Sequence, residues 1–255
     1  MAVLLSGDFH ANAMNELARI TRRALVRGYG QALFNEIGYH VILGDAGFLW
    51  PGNEKGDASS YKTLAARPFP LLCVMGNHEP VLGRQDLPEV AIGIGEKVLL
   101  VHENPFIAYL KRGCVYTIDG FTFLALGGAL SVDKEFRKEG ISWWAQEYWS
   151  EAEKEGVMKR LKGNSRFDYV LSHTGPGRIN RLLFQDSAGR DFPKFFDEAA
   201  ALNERIDRMI ACKGWFCGHW HQDKYYYDVN LKREYRYLYH ATAVLRGDAV
   251  VSCHT

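Results

Sequence analysis

The sequence predicts an α/β chain in which two sheets pack together. Three observations carry this. The first 75 residues alternate short apolar runs with helical patterns, the signature of a parallel βαβαβ start. The middle changes to closely spaced strands, with Asp119-Gly120 as a two-residue hairpin signal between two of them. The end reads as an antiparallel meander.

The elements follow in order. Val3 to Leu5 is an apolar run stopped by a Gly-Asp turn. Asn12 to Tyr29 reads as a helix with Asn12 as its cap. Met14, Leu17, Ala18, Ala24 and Leu25 form its apolar stripe, and Arg19, Arg22, Arg23 and Arg27 a solvated face. Val41 to Leu43 is a second strand, Tyr61 to Ala66 a short helix, and Leu71 to Met75 a third strand. Val98 to Val101, Cys114 to Ile118 and Phe121 to Leu126 follow as strands. An aromatic-rich helix is expected over Ser142 to Leu161, a strand over Tyr169 to Ser172, and a helix over Phe195 to Ile210 with Phe196, Ala199, Ile206 and Ile210 near one face. Trp215 to Cys217 is a strand. The meander runs from Tyr225 to Val251, with Tyr235, Tyr237 and Tyr239 alternating on one face.

Composition narrows the class. The chain has 255 residues, 47% hydrophobic and 24% charged, which excludes a disordered tail, a coiled coil and a collagen-like fibre. That length suits one domain over residues 1–255. Lys+Arg 31 against Asp+Glu 30 leaves a formal charge of +1, so no broad field for nucleic acid or membrane is expected. No run approaches the ~20 apolar residues of a membrane span, and Met1 to Leu5 is too short for an export signal. The five cysteines are scattered without a C-x-x-C pair, which suggests free thiols in a cytoplasmic protein.

The chemistry lies where apolar runs stop. Five of them end in Gly7-Asp8-Phe9-His10, Gly44-Asp45, Gly76-Asn77-His78-Glu79, Ser172-His173 and Gly218-His219-Trp220-His221. In α/β sheets ligands gather beyond the carboxyl ends of strands. In extended chain, residues two apart point the same way, so Asp8 and His10 can converge, and so can His219 and His221. Two carboxylates, an amide and four imidazoles, with no thiolate, suit Mn²⁺, Fe or Zn²⁺ rather than a closed structural zinc. Seven ligands exceed one ion with an open position. They fit two divalent ions if one carboxylate bridges, and such a pair attracts a phosphate oxyanion.

The ordered set D-x-H, G-D, G-N-H-E, a lone His and G-H-x-H, spanning Asp8 to His221, resembles the calcineurin-like metallophosphoesterase superfamily. The resemblance implies a four-layer α/β/β/α sandwich of two mixed sheets. It also implies that Asp8, His10, Asp45 and His221 hold one metal, that Asp45, Asn77, His173 and His219 hold the other, and that Asp45 bridges. Mn²⁺ is the expected ion. The implied reaction is hydrolysis of a phosphomonoester or phosphodiester by a metal-bridging hydroxide, with His78 as the acid at the leaving group or a stabiliser of transition-state charge. The expected substrate is a small phosphorylated compound or nucleotide. The alternatives are a nuclease on short or single strands, using Tyr and Trp platforms, and a metal-stabilised binding module without catalysis. Intact His78 beside a complete ligand set speaks against the last.

Two departures qualify the likeness. Protein serine/threonine phosphatases in the family carry an acid and an arginine soon after the bridging aspartate, whereas this chain reads Asp45-Ala46-Gly47-Phe48-Leu49-Trp50. Another group must therefore orient His78, and a phosphoprotein substrate is disfavoured. Gly127-Gly128, Ser131-Val132-Asp133-Lys134, Arg137 and Ser142-Trp143-Trp144 resemble small bacterial and phage members. Among other residues, Glu79 fits either a group tuning the site or a surface turn. Trp143, Trp144 and Trp149 read as packing rather than a lid, and the tyrosine cluster as cross-strand packing. Arg137 and Arg178 are candidates to grip a phosphate. His40, His102, His240 and His254 fall outside the motif.

Overall fold

The computed structural model describes residues 1–10, 18–185 and 197–254. Strands and helices are numbered here in chain order within these residues. One sheet contains β1 (Ala2–Ser6), β2 (Ile37–Ile42), β3 (Leu71–Cys73), β4 (Glu89–Val90), β5 (Val98–His102), β6 (Ile107–Tyr109), β13 (Ala241–Arg246) and β14 (Ala249–His254). The other contains β7 (Cys114–Ile118), β8 (Phe121–Leu126), β9 (Tyr169–Ser172), β10 (Gly214–Cys217), β11 (Lys224–Asp228) and β12 (Arg233–Tyr237). Their orders are β14-β13-β1-β2-β3-β6-β5-β4 and β11-β12-β10-β9-β8-β7. Both sheets mix parallel and antiparallel pairs.

Side-chain alternation builds the layers. Val3 and Leu5 of β1 enter a core shared with Phe123, Tyr169, Leu171 and Phe216 of the second sheet. Ala2 and Leu4 point the other way, onto Leu25 and Phe34 of α1 (Arg22–Glu36). α2 (Glu54–Ala65) adds Leu64 to the same outer face, against Ile42 and Leu71. On the far side, α3 (Glu151–Gly163), α4 (Gly177–Gln185) and α5 (Glu198–Asp207) place Val157, Leu161, Ile179, Leu183 and Ile206 over Leu124, Val170, Trp215 and Tyr235. The result is the four-layer α/β/β/α sandwich. Among the described residues, no helix is long and apolar enough to cross a membrane, and no disulfide forms.

Several elements differ from the sequence reading. Residues 11–17, with Asn12, Met14 and Leu17, lie outside the described residues, as do Phe195 and Phe196. α1 starts at a Thr21 cap, whose hydroxyl accepts from Ala24 N at 3.3 Å, and runs on to Glu36. Arg22, Arg23 and Arg27 are exposed, but half-buried Arg19 donates to the Tyr239 carbonyl at 2.7 Å. The aromatic helix begins only at Glu151, because the Ser150–Glu153 capping box starts it there. Trp143, Trp144 and Trp149 precede it, and all three are buried. The C-terminal strands are not one meander. β11 and β12 close the second sheet, and β13 and β14 return to the first, because Leu238 and Ala241 turn into the inter-sheet core. Tyr235 and Tyr237 are core residues, while Tyr239 falls beyond β12. The Asn104 to Lys111 loop contains β6.

Candidate metal centre

The centre forms where β1, β2, β3, β9 and β10 end. Gly76 and Gly218 make the approach possible. A methyl group on Gly76 would sit 2.0 Å from Asp45 Oδ1, and one on Gly218 would sit 2.1 Å from Asp8 Oδ1. The loops are tied to one another. The Asp45 carbonyl accepts from His10 N at 2.7 Å, and Asp45 Oδ1 accepts from Asn77 N at 3.0 Å and His78 N at 2.9 Å. Asp8 Oδ1 accepts from His219 N at 2.6 Å.

Backbone strain concentrates here. Seven described residues other than glycine have positive φ, and four of them are His10 (41°), Asp45 (51°), His219 (69°) and His221 (51°). Such conformations cost on the order of 1–3 kcal/mol each and gather at functional sites. They also change the convergence expected from extended chain. Asp8 and His10 do meet, with Oδ2 and Nε2 3.9 Å apart. His219 and His221 diverge. His221 Nε2 lies 3.0 Å from Asp8 Oδ2 and 3.3 Å from His10 Nε2, whereas the His219 ring packs on His173 at 5.0 Å.

Two donor groups result. Asp8, His10 and His221 bring ligand atoms within 4.8 Å of one another, and so do Asp8, Asp45 and His173. Asp8 is common to both, although the family resemblance makes Asp45 the bridge. Asn77 Oδ1 faces His173 Nε2 at 2.9 Å, and His173 Nδ1 donates to the Leu43 carbonyl at 2.8 Å. That bond leaves Nε2 as the donor atom aimed inward.

The residues fit cations. The buried Nε2 of His219 has no hydrogen-bond partner among the described residues. His10 and His221 direct ring nitrogens at each other beside a carboxylate. The bare nitrogen of His219 is costly unless something electropositive reaches it. The electrostatics agree. Burial pushes Asp8 and Asp45 up, but the facing imidazoles, His173 foremost, together outweigh it and hold both below the usual carboxylate range. Burial lowers His173, yet Asp45 and Asp8 overcome it and raise the ring to about 10. Burial, then the charge of His173, depresses His219 to about 3. The His221 ring is raised, chiefly by its hydrogen bond to Asp8.

A supporting shell surrounds these groups, and the sequence revealed only part of it. Glu79 is fully buried, which removes the surface-turn reading. Its oxygens accept from Ala46 N at 2.8 Å and Tyr109 Oη at 2.6 Å, and burial, then Asp45, pushes it up to about 8. Asn77 Nδ2 donates to Ser131 Oγ at 3.0 Å, and Ser131 Oγ donates to buried Glu147 at 2.5 Å. This relay turns the amide oxygen of Asn77 towards His173. The group that orients His78 is Arg137, whose guanidinium donates to His78 Nε2 at 3.1 Å and is held by Asp133 through two 2.6 Å bonds. Burial lowers the His78 ring, opposed by Asp45 and reinforced by Arg137. Arg178 is not free to grip a phosphate. It pairs with Asp207 at 2.7 Å and Asp228 at 2.8 Å. Outside the centre, His40 and His102 make structural bonds and His240 is exposed.

Fold and site together define a class: an α/β/β/α protein with a buried carboxylate–imidazole cluster at its strand ends. The family model for calcineurin-like phosphoesterases matches residues 1–223, and the chain belongs to that family. The family implies divalent metal ions. A dimetal phosphatase from Danio rerio superposes with a TM-score of 0.55 at 14% identity, covering 99% of this chain and 95% of that one. GAP50 of Plasmodium, described as the anchor in the inner membrane complex, gives 0.53 at 9% identity, covering 99% and 83%. These likenesses concern the fold. Comparison with curated proteins returns no match.

Proposed function

We propose that the chain hydrolyses small phosphomonoesters or phosphodiesters with a pair of divalent cations. Asp8, His10, Asp45 and His221 would hold one ion and Asp45, Asn77, His173 and His219 the other, with Asp45 bridging. The observation that supports this reading is the pair of donor groups, Asp8-His10-His221 and Asp8-Asp45-His173, which meet at buried carboxylates beside His78. When bound, two such ions make a nucleophile available at neutral pH and neutralise phosphoryl charge. Mn²⁺ is the proposed metal because the donors are oxygen and nitrogen.

The protein's own groups do the rest. Because Arg137 donates to Nε2 of His78, the ring proton sits on Nδ1. His78 would offer that proton to the oxygen that departs. Asp133 fixes Arg137, so the ring is oriented without the acid and arginine that other members place after the bridging aspartate. Glu79 and the Glu147–Ser131 relay keep the Asp45 and Asn77 loops in register.

The fold alone does not make an enzyme, since GAP50 is described as an anchor. Here the complete donor set beside His78 favours catalysis over a binding module. The nuclease reading keeps only part of its platforms: Trp143, Trp149, Tyr235 and Tyr237 are buried, whereas Tyr225 and Tyr227 are exposed. The test loads the protein with Mn²⁺, counts ions by elemental analysis, and compares mono- and bis-nitrophenyl phosphate. Two ions per chain and hydrolysis that His78→Ala abolishes are expected. One ion per chain, or wild-type rates in His78→Ala, would refute the assignment.

A further inference from the structure

A cavity of about 630 Å³ lies outside the donor groups, with none of the candidate ligands in its lining. Its walls come from the segments that leave the site on the His78 side. Pro80 lines it and is two residues beyond His78, so their Cα atoms lie within ~7 Å. Glu139, also in the lining, is as close along the chain to Arg137, which touches His78. A group joined to the departing oxygen would enter this space.

The lining has a definite chemistry. Trp50 and Trp144 meet edge to face with ring centroids 5.4 Å apart, making a corner of two aromatic walls. Asp57, Glu54 and Glu139 contribute carboxylates. The cation Arg84 is already claimed by Asp86 through bonds of 2.5 and 2.6 Å. Asp57 is the telling residue. It is 7% exposed, its carboxylate accepts from Leu49 N at 3.0 Å through Oδ2 and from the Asn53 side chain, and only its buried Oδ1 is without a donor among the described residues. A buried carboxylate oxygen without a donor calls for a cation or an N–H from a ligand. Aromatic faces beside anionic oxygens suit an organic ammonium, through cation–π attraction and charge together. A second phosphate would be repelled.

We infer that this cavity holds the cationic end of the leaving group, so that the substrate is a phosphoester of an amino alcohol. The inference rests on the proposed phosphoesterase reading. In the reaction, water oxygen bonds to phosphorus, the bond from phosphorus to the alkyl oxygen breaks, and that oxygen takes a proton. For a monoester the products are inorganic phosphate and the free amino alcohol.

The test begins with binding, which needs no turnover. Choline and its neutral isostere 3,3-dimethyl-1-butanol are titrated while tryptophan fluorescence is followed. The expected result is a saturable change with choline, at least about tenfold weaker with the isostere. Asp57→Asn, which keeps an acceptor for Leu49 N, weakens choline about tenfold, and Trp50→Ala does so independently. Glu139→Gln, on an exposed residue, gives a smaller loss in the same direction. The kinetic arm compares kcat/KM for phosphocholine and the phosphate of the neutral isostere. The wild type prefers phosphocholine by about tenfold, and Asp57→Asn erases the preference. Equal binding of choline and the isostere overturns the inference, as does tighter binding of adenosine than of choline. If neither mono- nor bis-nitrophenyl phosphate is hydrolysed, the phosphoesterase reading fails instead, and the titration still judges the cavity.

Discussion

Two buried polar clusters in this chain are built on opposite plans. On the outer face of the second sheet, Asp207 accepts from Arg233, from Arg178 at 2.7 Å and from Tyr235 Oη at 2.8 Å. Arg233 also donates to the Ile210 carbonyl at 2.6 Å. Both oxygens of that carboxylate are met by donors. At the strand ends, by contrast, one His221 nitrogen is shared between Asp8 at 3.0 Å and His10 at 3.3 Å, and His219 keeps a bare nitrogen. The carboxylate of the first cluster is fully met and stabilises the fold, although Arg233 Nε has no partner among the described residues. The second is open, held by backbone bonds and strained φ angles, and is completed only by what it binds. Polar burial is thus not a sign of function by itself. What distinguishes a site is unmet valence on a group that can hold a cation, as on His219, rather than on a guanidinium such as Arg233.

The contrast can be broken by exchanging effects. Asp207→Asn leaves the guanidinium of buried Arg233 without a full counter-charge. It should cost about 3–5 kcal/mol of stability, read as a Tm lower by roughly 6–20 °C, with kcat per folded molecule retained. A variant that keeps its Tm would show that the first cluster is not structural. Asp45→Asn should do the reverse. The amide oxygen still accepts from Asn77 N and His78 N, so the metal-free Tm moves little. Hydrolysis should fall by at least about 10²–10³-fold, the scale of losing a preorganised charged group. Loss of Tm and activity together would merge the two plans.

A finer test separates ligands from their supports. Ser131→Ala removes the acceptor that turns the Asn77 amide, while the ligands stay in place. An effect of about 10–100-fold on metal affinity is expected, measured by Mn²⁺ titration. Ser131→Thr, which keeps the hydroxyl, should restore most of it. Equal loss in both variants would point to packing rather than to the relay.

How much of this was legible in the sequence follows the same division. The strand-end residues were readable because glycine punctuates each apolar run and places the polar group immediately after it. Asp8, His10, Asp45, His173 and His221 stand out in order in the sequence, but the sequence reading shares Asp45 between two groups, whereas the observed groups share Asp8. Glu79 was ambiguous because its neighbours do not reveal that Tyr109, thirty residues on, would bury it. The Ser131–Glu147 relay and the Arg137–His78 contact were not readable as contacts. They join segments through an irregular loop with no period, and only the fold brings residue 137 to residue 78. The sheets were foreseen but not the return of β13 to β1, since antiparallel strands look alike whichever sheet receives them. Arg178 showed the limit of reading charge alone: its partners Asp207 and Asp228 lie 29 and 50 residues away.

The smallest expected effect concerns a histidine whose two ring nitrogens are both met. His40 is fully buried, with Nε2 2.8 Å from Ser6 Oγ and Nδ1 2.7 Å from an Arg67 nitrogen. Burial, reinforced by Arg67, holds its ring well below the ordinary histidine value. The folded chain therefore keeps His40 neutral while the unfolded chain takes up a proton below about pH 6.5. More protons on the unfolded state mean that stability falls as the pH drops through 6.5, and that this group contributes no slope above it. The window continues down to the depressed folded value. Other groups titrate too, so the quantity to measure is the difference between wild type and His40→Gln, from urea unfolding at pH 7.5, 6.5 and 5.5. That difference should shrink by about 1.4 kcal/mol between the extremes, the linkage of one proton. A difference that stays constant would mean that His40 charges without penalty in the fold, and that its cluster is as open as the one at the strand ends.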